Sequence, residues 1–557
     1  MKLKIQNLVL ILTLVIFGCS TAFAQELDKL AEEPDQNAKT DEAKPFSADD
    51  DTKPVKKVTK KKKTFSDFIE TKINITYADD NLRENSEFSP KMAIGQQNDS
   101  SFIDEPRNLN QTHLVLHHKG EGYLPGLLTE AALVLRFQLA TDPVTGSPEY
   151  SFSENGGFVR VGYVFDHDGD KETILDITGF PFDAESFLLG YHYDLSWGGQ
   201  SSFPQNSDSV PGVRIGFDHP WFYVFAGFKT HLQPKKDKLN TEQVPTETVY
   251  AGLFGFGIRP LPVPGLLIEA NGGVIEKGDN PIMPEIQNNE SRDNILAWGI
   301  SSRISYTSGV PISERMDLRL YQNDPRTMLK LATSDEYSAN EFSFMVSGEF
   351  NYLSQNLEDP DTTYGTKAFN APAAMLVAKF KYDYFRVHFE GAYRSLEFLL
   401  FDSPGIVPFQ AFPKGAKTRG EYYGVLSMDY HIDVAYLTIG ATFGYKKPAT
   451  YRGAESVPVM TVVKRRTAGT AYISPFNRAI ENLPQGYKAK DIMETKFNMQ
   501  FDLSSFMTFM LEVSYTYDKN RTKVEASPNN SETLIKTFED SSVVHAVGLG
   551  AIIQAKF

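Results

Sequence analysis

The chain has 557 residues, a formal net charge of −15 and a single cysteine. Such an acidic balance argues against a nucleic-acid partner, and one cysteine excludes a framework of disulfides within the chain. Aromatic residues reach 12% while mean hydropathy is only −0.32, and no apolar run after residue 24 is long enough for a membrane-spanning helix.

Residues 1–24 predict a cleaved signal peptide. Lys2 and Lys4 precede a short apolar run, and Ala22 and Ala24 form the small-x-small site that signal peptidase requires. A membrane anchor is the alternative, but the run falls short of the ~18–20 apolar residues that span a bilayer.

The only cysteine, Cys19, lies inside this segment. Residues 16–19 loosely resemble a lipoprotein box, with bulky Phe17 where a small residue is preferred, so lipidation of Cys19 is left open. Cleavage after Ala24 would remove the cysteine, and with it any disulfide, thiolate nucleophile or cysteine-ligated metal site.

Residues 25–69 predict a disordered, charged periplasmic tail. They contain few large apolar residues and change from acidic to basic, so they cannot bury enough surface to fold alone. The basic end could be a solvated tether, or it could contact anionic lipid, peptidoglycan or an acidic periplasmic partner. Its lysines are Lys56, Lys57, Lys60, Lys61, Lys62 and Lys63.

Residues 70–557 predict a series of strands, because apolar and polar residues alternate in segments of roughly ten residues. In FVRVGYVF (158–165) apolar residues at every second position share one face of the strand, and Arg160 and Gly162 lie on the other face. The segments 128–140, 187–197, 385–395 and 496–503 alternate in the same way, with charges in mid-strand.

The connections between these strands predict an up-and-down order. Tight links are expected at 218–220, 260–265, 383–384, 431–433 and 504–505, and long polar segments at 233–247, 277–293, 397–419, 447–491 and 520–541. Short and long links alternate in membrane barrels. Residues 167–185 fit neither kind, and the alternation fails near 322–372 unless 327–333 is a strand.

The pattern therefore predicts an all-β fold, a transmembrane antiparallel up-and-down β-barrel of about 18–20 strands, with an even number between 16 and 20. A large secreted β-protein, such as a sandwich or propeller, is the alternative. The many strands with one apolar face and aromatic residues near their ends favour the barrel, with lipid around its outside and water in its lumen.

The last strand, VGLGAIIQAKF, places Phe557, Ala555, Ile553, Ala551 and Leu549 on one apolar parity. It resembles the C-terminal signature strand of Gram-negative outer-membrane β-barrel proteins. The resemblance implies recognition by the barrel-assembly machinery, pairing of this strand with the first one, and a location among outer-membrane lipid and lipopolysaccharide. Ala555 departs from the larger residue that the family often has.

Strand parity also predicts which charges face the lumen. Both signs are present, so a charge ring of one sign, which selects ions, is not expected. The inward positions are Arg136, Arg160, Asp194, Arg214, Glu269, Arg303, Glu349, Lys379, Arg386, Glu390, Arg394, Lys496, Asp502 and Glu512, together with Glu130, Asp317, Arg319 and Asp429.

Two groups of side chains are candidates for metal binding or proton transfer. Asp166, Asp168 and Asp170 offer oxygen ligands that suit calcium, although a plain polar loop explains them equally simply. His192 with Asp194, and His388 with Glu390, could move protons or bind metal, or could belong to a polar network.

No nucleophile elbow, zinc-protease motif or phosphate-binding loop is present, so neither an enzyme nor a cofactor is expected. The whole architecture resembles the porins, which implies a channel for small hydrophilic solutes in the bacterial outer membrane. The alternative is a structural or interaction barrel of an envelope-spanning complex for motility, adhesion or secretion.

We expect deletion of Phe557 to cause periplasmic accumulation and degradation, because it removes the terminal aromatic of the signature and leaves a charged end. Lys556→Gln, on the other parity, should be nearly silent. Outer-membrane levels after cell fractionation measure both. A normal level without Phe557 would favour a secreted soluble β-protein.

Overall fold

The computed structural model describes most of the region after residue 70. Residues 1–69, the segment 327–333 and Phe557 lie outside the described residues. Those described are 72–79, 82–83, 110–141, 148–154, 157–165, 173–181, 187, 189–192, 195–197, 211–260, 263–279, 294–309, 341–362, 365–401, 411–453, 460–463, 480–527 and 530–556, except 235–245.

Nineteen strands form one sheet. They are β1 (Lys72–Asp79), β2 (Asn110–Glu121), β3 (Leu127–Thr141), β4 (Pro148–Glu154), β5 (Phe158–Val164), β6 (Ile174–Phe180), β7 (Gly212–His219), β8 (Phe222–Pro234), β9 (Thr246–Ile258), β10 (Leu266–Asp279), β11 (Asn294–Ser308), β12 (Phe342–Glu358), β13 (Thr366–Tyr382), β14 (Phe385–Arg394), β16 (Glu421–Ile432), β17 (Leu437–Lys447), β21 (Ile492–Asp502), β22 (Met507–Tyr517) and β25 (His545–Lys556).

Every pairing in this sheet is antiparallel, and most strands pair with the strands that precede and follow them in the chain. β4 and β5 both pair with β3, β4 along Leu135–Thr141 and β5 along Leu127–Ala132. Together they occupy one strand position in the sheet, which therefore has eighteen positions. β1 pairs with β25, from Lys72 opposite Lys556 onward, and lies beside β2. The predicted antiparallel up-and-down β-barrel is confirmed.

The two ends of the barrel differ in their connections. One end has tight turns, including Asp383 and Tyr436, whose φ angles of 55° and 49° lie in the left-handed region. The other end has the long segments, such as 395–420 and 448–491. The expected tight links fall at the first end, and the expected long segments fall at the second.

Smaller elements belong to the long segments. A separate sheet joins β15 (Lys417–Arg419), β18 (Ala449–Arg452), β19 (Met460–Val463) and β20 (Ile480–Asn482). A hairpin pairs β23 (Thr522–Ser527) with β24 (Asn530–Phe538). Within the described residues the helices are α1 (Leu396–Phe401) and α2 (Ser541–Val544), and a 3₁₀ turn spans Asp433–Ala435.

The barrel wall is uneven in height. β12 and β13 have 17 residues each, whereas β6 has 7 and β7 has 8. The wall is lowest where the chain leaves β6 and returns to β7.

Alternation sorts the side chains onto two unlike faces. On β5, Val159, Val161 and Tyr163 are 44–52% exposed, while Arg160 between them is fully buried. The same reversal holds on β6, where Ile177 is half-exposed and Asp176 is buried. Apolar side chains therefore cover the outside of the barrel and charged ones lie inside, the opposite of a water-soluble protein.

Two element predictions were wrong, and they are linked. The segment 167–185 was expected to be a linker but contains β6. The segment 187–197 was expected to be a barrel strand with outward aromatics. Among its described residues only an isolated bridge forms, between Leu189 and Trp197, and Phe187, Tyr191 and Trp197 are buried.

We expect Phe389→Arg to impair assembly in lipid, because Phe389 lies on the outer face of β14 at 38% exposure and a charge at the bilayer midplane of a barrel costs about 2–4 kcal/mol. The control is Thr442→Arg on the inner face, where the Thr442 hydroxyl lies 2.9 Å from that of Ser427. Heat-modifiable gel mobility after refolding into vesicles measures both, and equal yields would mean that the two faces are misassigned.

Candidate lumen site

Residues 187–197, here called the lumen segment, fold into the barrel between β6 and β7. A tight hairpin forms where Leu189 and Trp197 exchange backbone hydrogen bonds of 2.9 and 2.8 Å, and the Leu195 amide donates to the His192 carbonyl at 3.0 Å. Phe187, Leu189, Leu195 and Trp197 are each at most 1% exposed. The segment is thus enclosed by the barrel and does not form part of its wall.

Glycines on the inner wall leave room for these side chains. A Cβ at Gly227 on β8 would collide with the Phe187 ring, and one at Gly299 on β11 would lie 2.9 Å from the Trp197 ring. Gly273 on β10 makes similar room for Leu189. The wall over β8–β11 is therefore shaped to the segment.

Apolar contacts extend from the lumen segment across the same wall. Phe187 stacks on Phe180 at a centroid distance of 5.8 Å and meets Phe225 edge-on at 6.1 Å. The buried cluster continues to Leu353 on β12 and Met375 on β13. An apolar core consequently extends along the interior from Ala132 on β3 to Val425 on β16.

Hydrogen bonds fix the backbone of the lumen segment. The Gly190 amide donates to Asn271 Oδ1 at 3.1 Å, the Tyr191 amide donates to Glu349 Oε1 at 2.9 Å, and Trp197 Nε1 donates to Ser301 Oγ at 2.8 Å. The Asn351 side-chain amide donates to the Leu195 carbonyl. Strands β10, β11 and β12 therefore hold this short hairpin by hydrogen bonds, and β8 packs against it.

Tyr191 lies at the tip of this hairpin. The Arg303 guanidinium is 4.8 Å from the centroid of its ring, in cation–π geometry. Burial raises the pKa of the Tyr191 phenol above its usual range, so the residue stays neutral and attracts the cation only through its ring.

A first ionic cluster joins four consecutive places of the barrel, β3 to β7. Arg160 Nη1 lies 3.1 Å from Glu130 and its Nη2 lies 3.3 Å from Asp176, while Arg214 Nη2 lies 3.5 Å from Asp176. All four side chains are fully buried. Alternating signs on neighbouring strands let each buried charge meet its counter-charge.

A second ionic cluster lies on β14, β16 and β17. Glu421 accepts from Arg394 at 2.5 Å and from Lys446 at 2.8 Å, and all three side chains are at most 2% exposed. Nearby, Lys496 lies 3.4 Å from Glu494 and 3.9 Å from Glu512.

The remaining inward charges also lie on the inner face. Glu269 meets Arg303 at 2.6 Å, and Arg386 meets Asp429 at 2.7 Å. Lys379 and Asp502 share the parity of the buried residues of β13 and β21. The side chain of Arg136, and residues Asp194, Asp317 and Arg319, lie outside what the structure describes.

Sequence reasoning missed several inner charges. Asp176 was missed because residues 167–185 were read as a linker, although LDIT (175–178) alternates apolar with polar residues. Glu421, Lys446 and Glu494 lie at strand ends beside long polar segments, where alternation gives no signal.

Two other sets of predicted residues have mixed placements. Leu549, Ala551, Ile553 and Ala555 lie on the outer parity of β25, where Ile553 is 41% exposed. Asp166, Asp168 and Asp170 lie outside the described residues. Within the described ranges, no three metal-ligating side chains are placed to hold an ion.

The helices that the structure describes are short. Within the described part of the chain, no helix is long and apolar enough to cross a membrane.

No protein-family model and no curated protein matches the sequence. Three solved structures are similar to this chain, each over 88% of it. The outer membrane protein OpdK of Pseudomonas aeruginosa is 6% identical, with 97% of its chain covered and a TM-score of 0.39. OprD of the same organism is 11% identical, with 92% covered and a TM-score of 0.36. OmpT of Vibrio cholerae is 9% identical, with 97% covered and a TM-score of 0.31. Each of the three is an outer-membrane protein.

We expect Asp176→Asn to lower the free energy of unfolding by about 3–5 kcal/mol, because it leaves Arg160 and Arg214 buried with one fewer counter-charge. The unfolding midpoint in urea, followed by heat-modifiable mobility in vesicles, measures this. Asp540→Asn, which removes an exposed pair with Lys523, is the control and should change little. An unchanged midpoint for Asp176→Asn would contradict a stabilising role for the cluster.

Proposed function

We propose that this chain is an outer-membrane, porin-like channel for small hydrophilic solutes. The observation that carries the proposal is the pairing of an apolar exterior with an inner wall that is polar and partly reached by water. Neither property alone would distinguish a channel from a filled barrel.

The exterior supports placement in a bilayer. Large apolar side chains stay 36–61% exposed on the outer parity of most strands, which would be costly in water. Aromatic residues lie near both strand ends, with Tyr382 and Phe342 at one end and Tyr422 and Tyr515 at the other. Such girdles are typical of membrane–water interfaces.

The inner wall of β14 and β16 supports a water-filled passage. The side chains of His388, Asp429 and Arg386 are 32%, 23% and 18% exposed, although all three point inward. The apolar cluster reaches Ala392 on β14 and Tyr423 and Val425 on β16, nearer the opposite end of these strands, and none of its described members lies on β17, β21, β22 or β25. A passage would therefore follow the β17–β25 side, narrowed by the lumen segment.

The charges along this wall support weak selectivity among solutes. Arg386 is paired with Asp429, and Lys496 lies between Glu494 and Glu512. A passing solute would meet paired charges of both signs. The wall therefore offers polar contacts to hydrophilic solutes without a strong preference for anions or cations.

The runner-up function is a structural or interaction barrel of an envelope-spanning complex. The observation that favours it is the dry core, since Phe187, Trp197 and Leu353 fill lumen volume that simple diffusion would leave open. The small sheet of β15 and β18–β20 outside the barrel could meet a partner.

The route to the membrane belongs to the same proposal. The signal peptide would direct export, the barrel-assembly machinery would read the last strand, and lipid with lipopolysaccharide would surround the barrel. The lysines at 56–63 would contact a periplasmic or peptidoglycan partner.

Planar-bilayer recording of the purified protein tests the channel. We expect discrete conductance steps, and we expect a Gly-Ser linker in place of residues 187–197 to raise the single-channel conductance by about twofold, because it widens the narrowest section. Deleting the β23–β24 hairpin, which lies outside the lumen segment and its wall contacts, is the control and should leave conductance unchanged. A folded barrel that never conducts would support the structural role.

A further inference from the structure

The tip of the lumen segment meets the β14 wall at a single carboxylate. His192 Nε2 lies 3.5 Å from Glu390 Oε1, and His388 Nε2 lies 2.8 Å from the same oxygen. Glu390 is only 3% exposed, whereas the two imidazoles are 14% and 32% exposed. The two imidazole rings are thus partly exposed, whereas the Glu390 carboxylate that they share is shielded from solvent.

The shared carboxylate has unused hydrogen-bonding capacity. Within the described part of the chain, Glu390 Oε2 has no hydrogen-bond partner. A carboxylate in this state gains strongly when a neighbouring imidazole becomes charged. No set of three ligands suited to a metal ion is formed by the described residues, so protons are the natural ligand of this cluster.

Charged groups on five other strands face the cluster or its neighbours. Glu349 on β12 holds the Tyr191 amide, and Arg303 on β11 lies over the Tyr191 ring and pairs with Glu269 on β10. Lys379 on β13 is directly opposite His388, and Asp429 on β16 pairs with Arg386.

The formal charge of this group depends on the imidazoles. The cations are Arg303, Lys379, Arg386 and Lys381, which is buried on the inner face directly opposite Arg386, and the carboxylates are Glu269, Glu349, Glu390 and Asp429. With both rings neutral the sum is 0, and with both rings protonated it is +2. Protonation of any of the carboxylates would move the sum in the same direction.

We infer that His192 and His388 set the pH dependence of the ion selectivity of the passage. Protonation of these two imidazoles, the side chains best suited to change charge near neutral pH, makes the passage prefer anions. This inference rests on the proposed channel function.

The size of the effect follows from the position of the rings. A unit charge about 7 Å from an ion in water changes the local concentration of that ion by about threefold, and it acts oppositely on the counter-ion. The ratio of potassium to chloride permeability should therefore fall by at least about threefold between pH 8 and pH 5. Low salt keeps screening weak.

Reversal potentials across a potassium chloride gradient test the inference, with the full-length barrel in planar bilayers at pH 8, 7, 6 and 5. The wild type should show the threefold fall, His388→Gln about half of it on a logarithmic scale, and the double variant His192→Gln with His388→Gln only the remainder that buried carboxylates such as Glu349 contribute, which adding Glu349→Gln should remove. His431→Gln is the control, because His431 is also a buried inner histidine but contacts Thr438 and Asp433 at the turn.

The outcomes separate the two hypotheses. A conducting wild type with a pH-independent reversal potential contradicts the inference and leaves the channel standing, as does a pH effect that survives in His388→Gln at full size. A full loss in His431→Gln would assign the effect to the turn and overturn the inference. A barrel that is silent at every pH contradicts the channel, and with it this inference.

Discussion

Each strand of the barrel depends on two neighbours for its backbone hydrogen bonds, and a sheet leaves no strand edge unpaired only when its first and last strands meet. The pairing of β1 with β25 brings the first and last strands of the sheet together, and β1 lies beside β2. The antiparallel order follows, because turns of a few residues join neighbours at one end. So does the separation of faces, since pairing in register keeps every odd or even position on one side of the wall.

With the register fixed, the interior has to accommodate charges in mid-strand. It does so with pairs between neighbouring strands, as at Glu130, Arg160 and Asp176, and with a three-member group around Glu421. The apolar cluster around the lumen segment adjoins the second group, since Arg394 lies 5.2 Å from the ring centroid of Tyr423, a member of that cluster. Ionic pairing and close packing against glycines thus stabilise the barrel interior together.

The sequence allowed prediction of the architecture and of most inward charges, because period-two alternation reports which residues share a face. Arg160 and Glu390 illustrate this, since each is a charge inside an apolar run. Alternation could not distinguish lipid from a dry interior, since both accept Phe187 and Trp197 equally well. The segment 187–197 was therefore taken for a strand while β6 was taken for a linker, and the two errors compensated in the strand count. Contacts such as His192 with Glu390 join residues almost two hundred positions apart, and no local pattern reports them.

The uneven wall has a consequence for the surrounding lipid. At about 3.3 Å per residue, the 7 residues of β6 extend about 23 Å and the 17 residues of β12 extend about 56 Å. Tilted by about 45°, β6 covers only about 16 Å of a hydrocarbon layer that is about 30 Å thick. The bilayer must therefore become thinner beside β6 and β7 than beside β12 and β13. Such hydrophobic mismatch on one flank would give the barrel a preferred tilt and a preferred side for meeting other proteins or thin regions of the membrane.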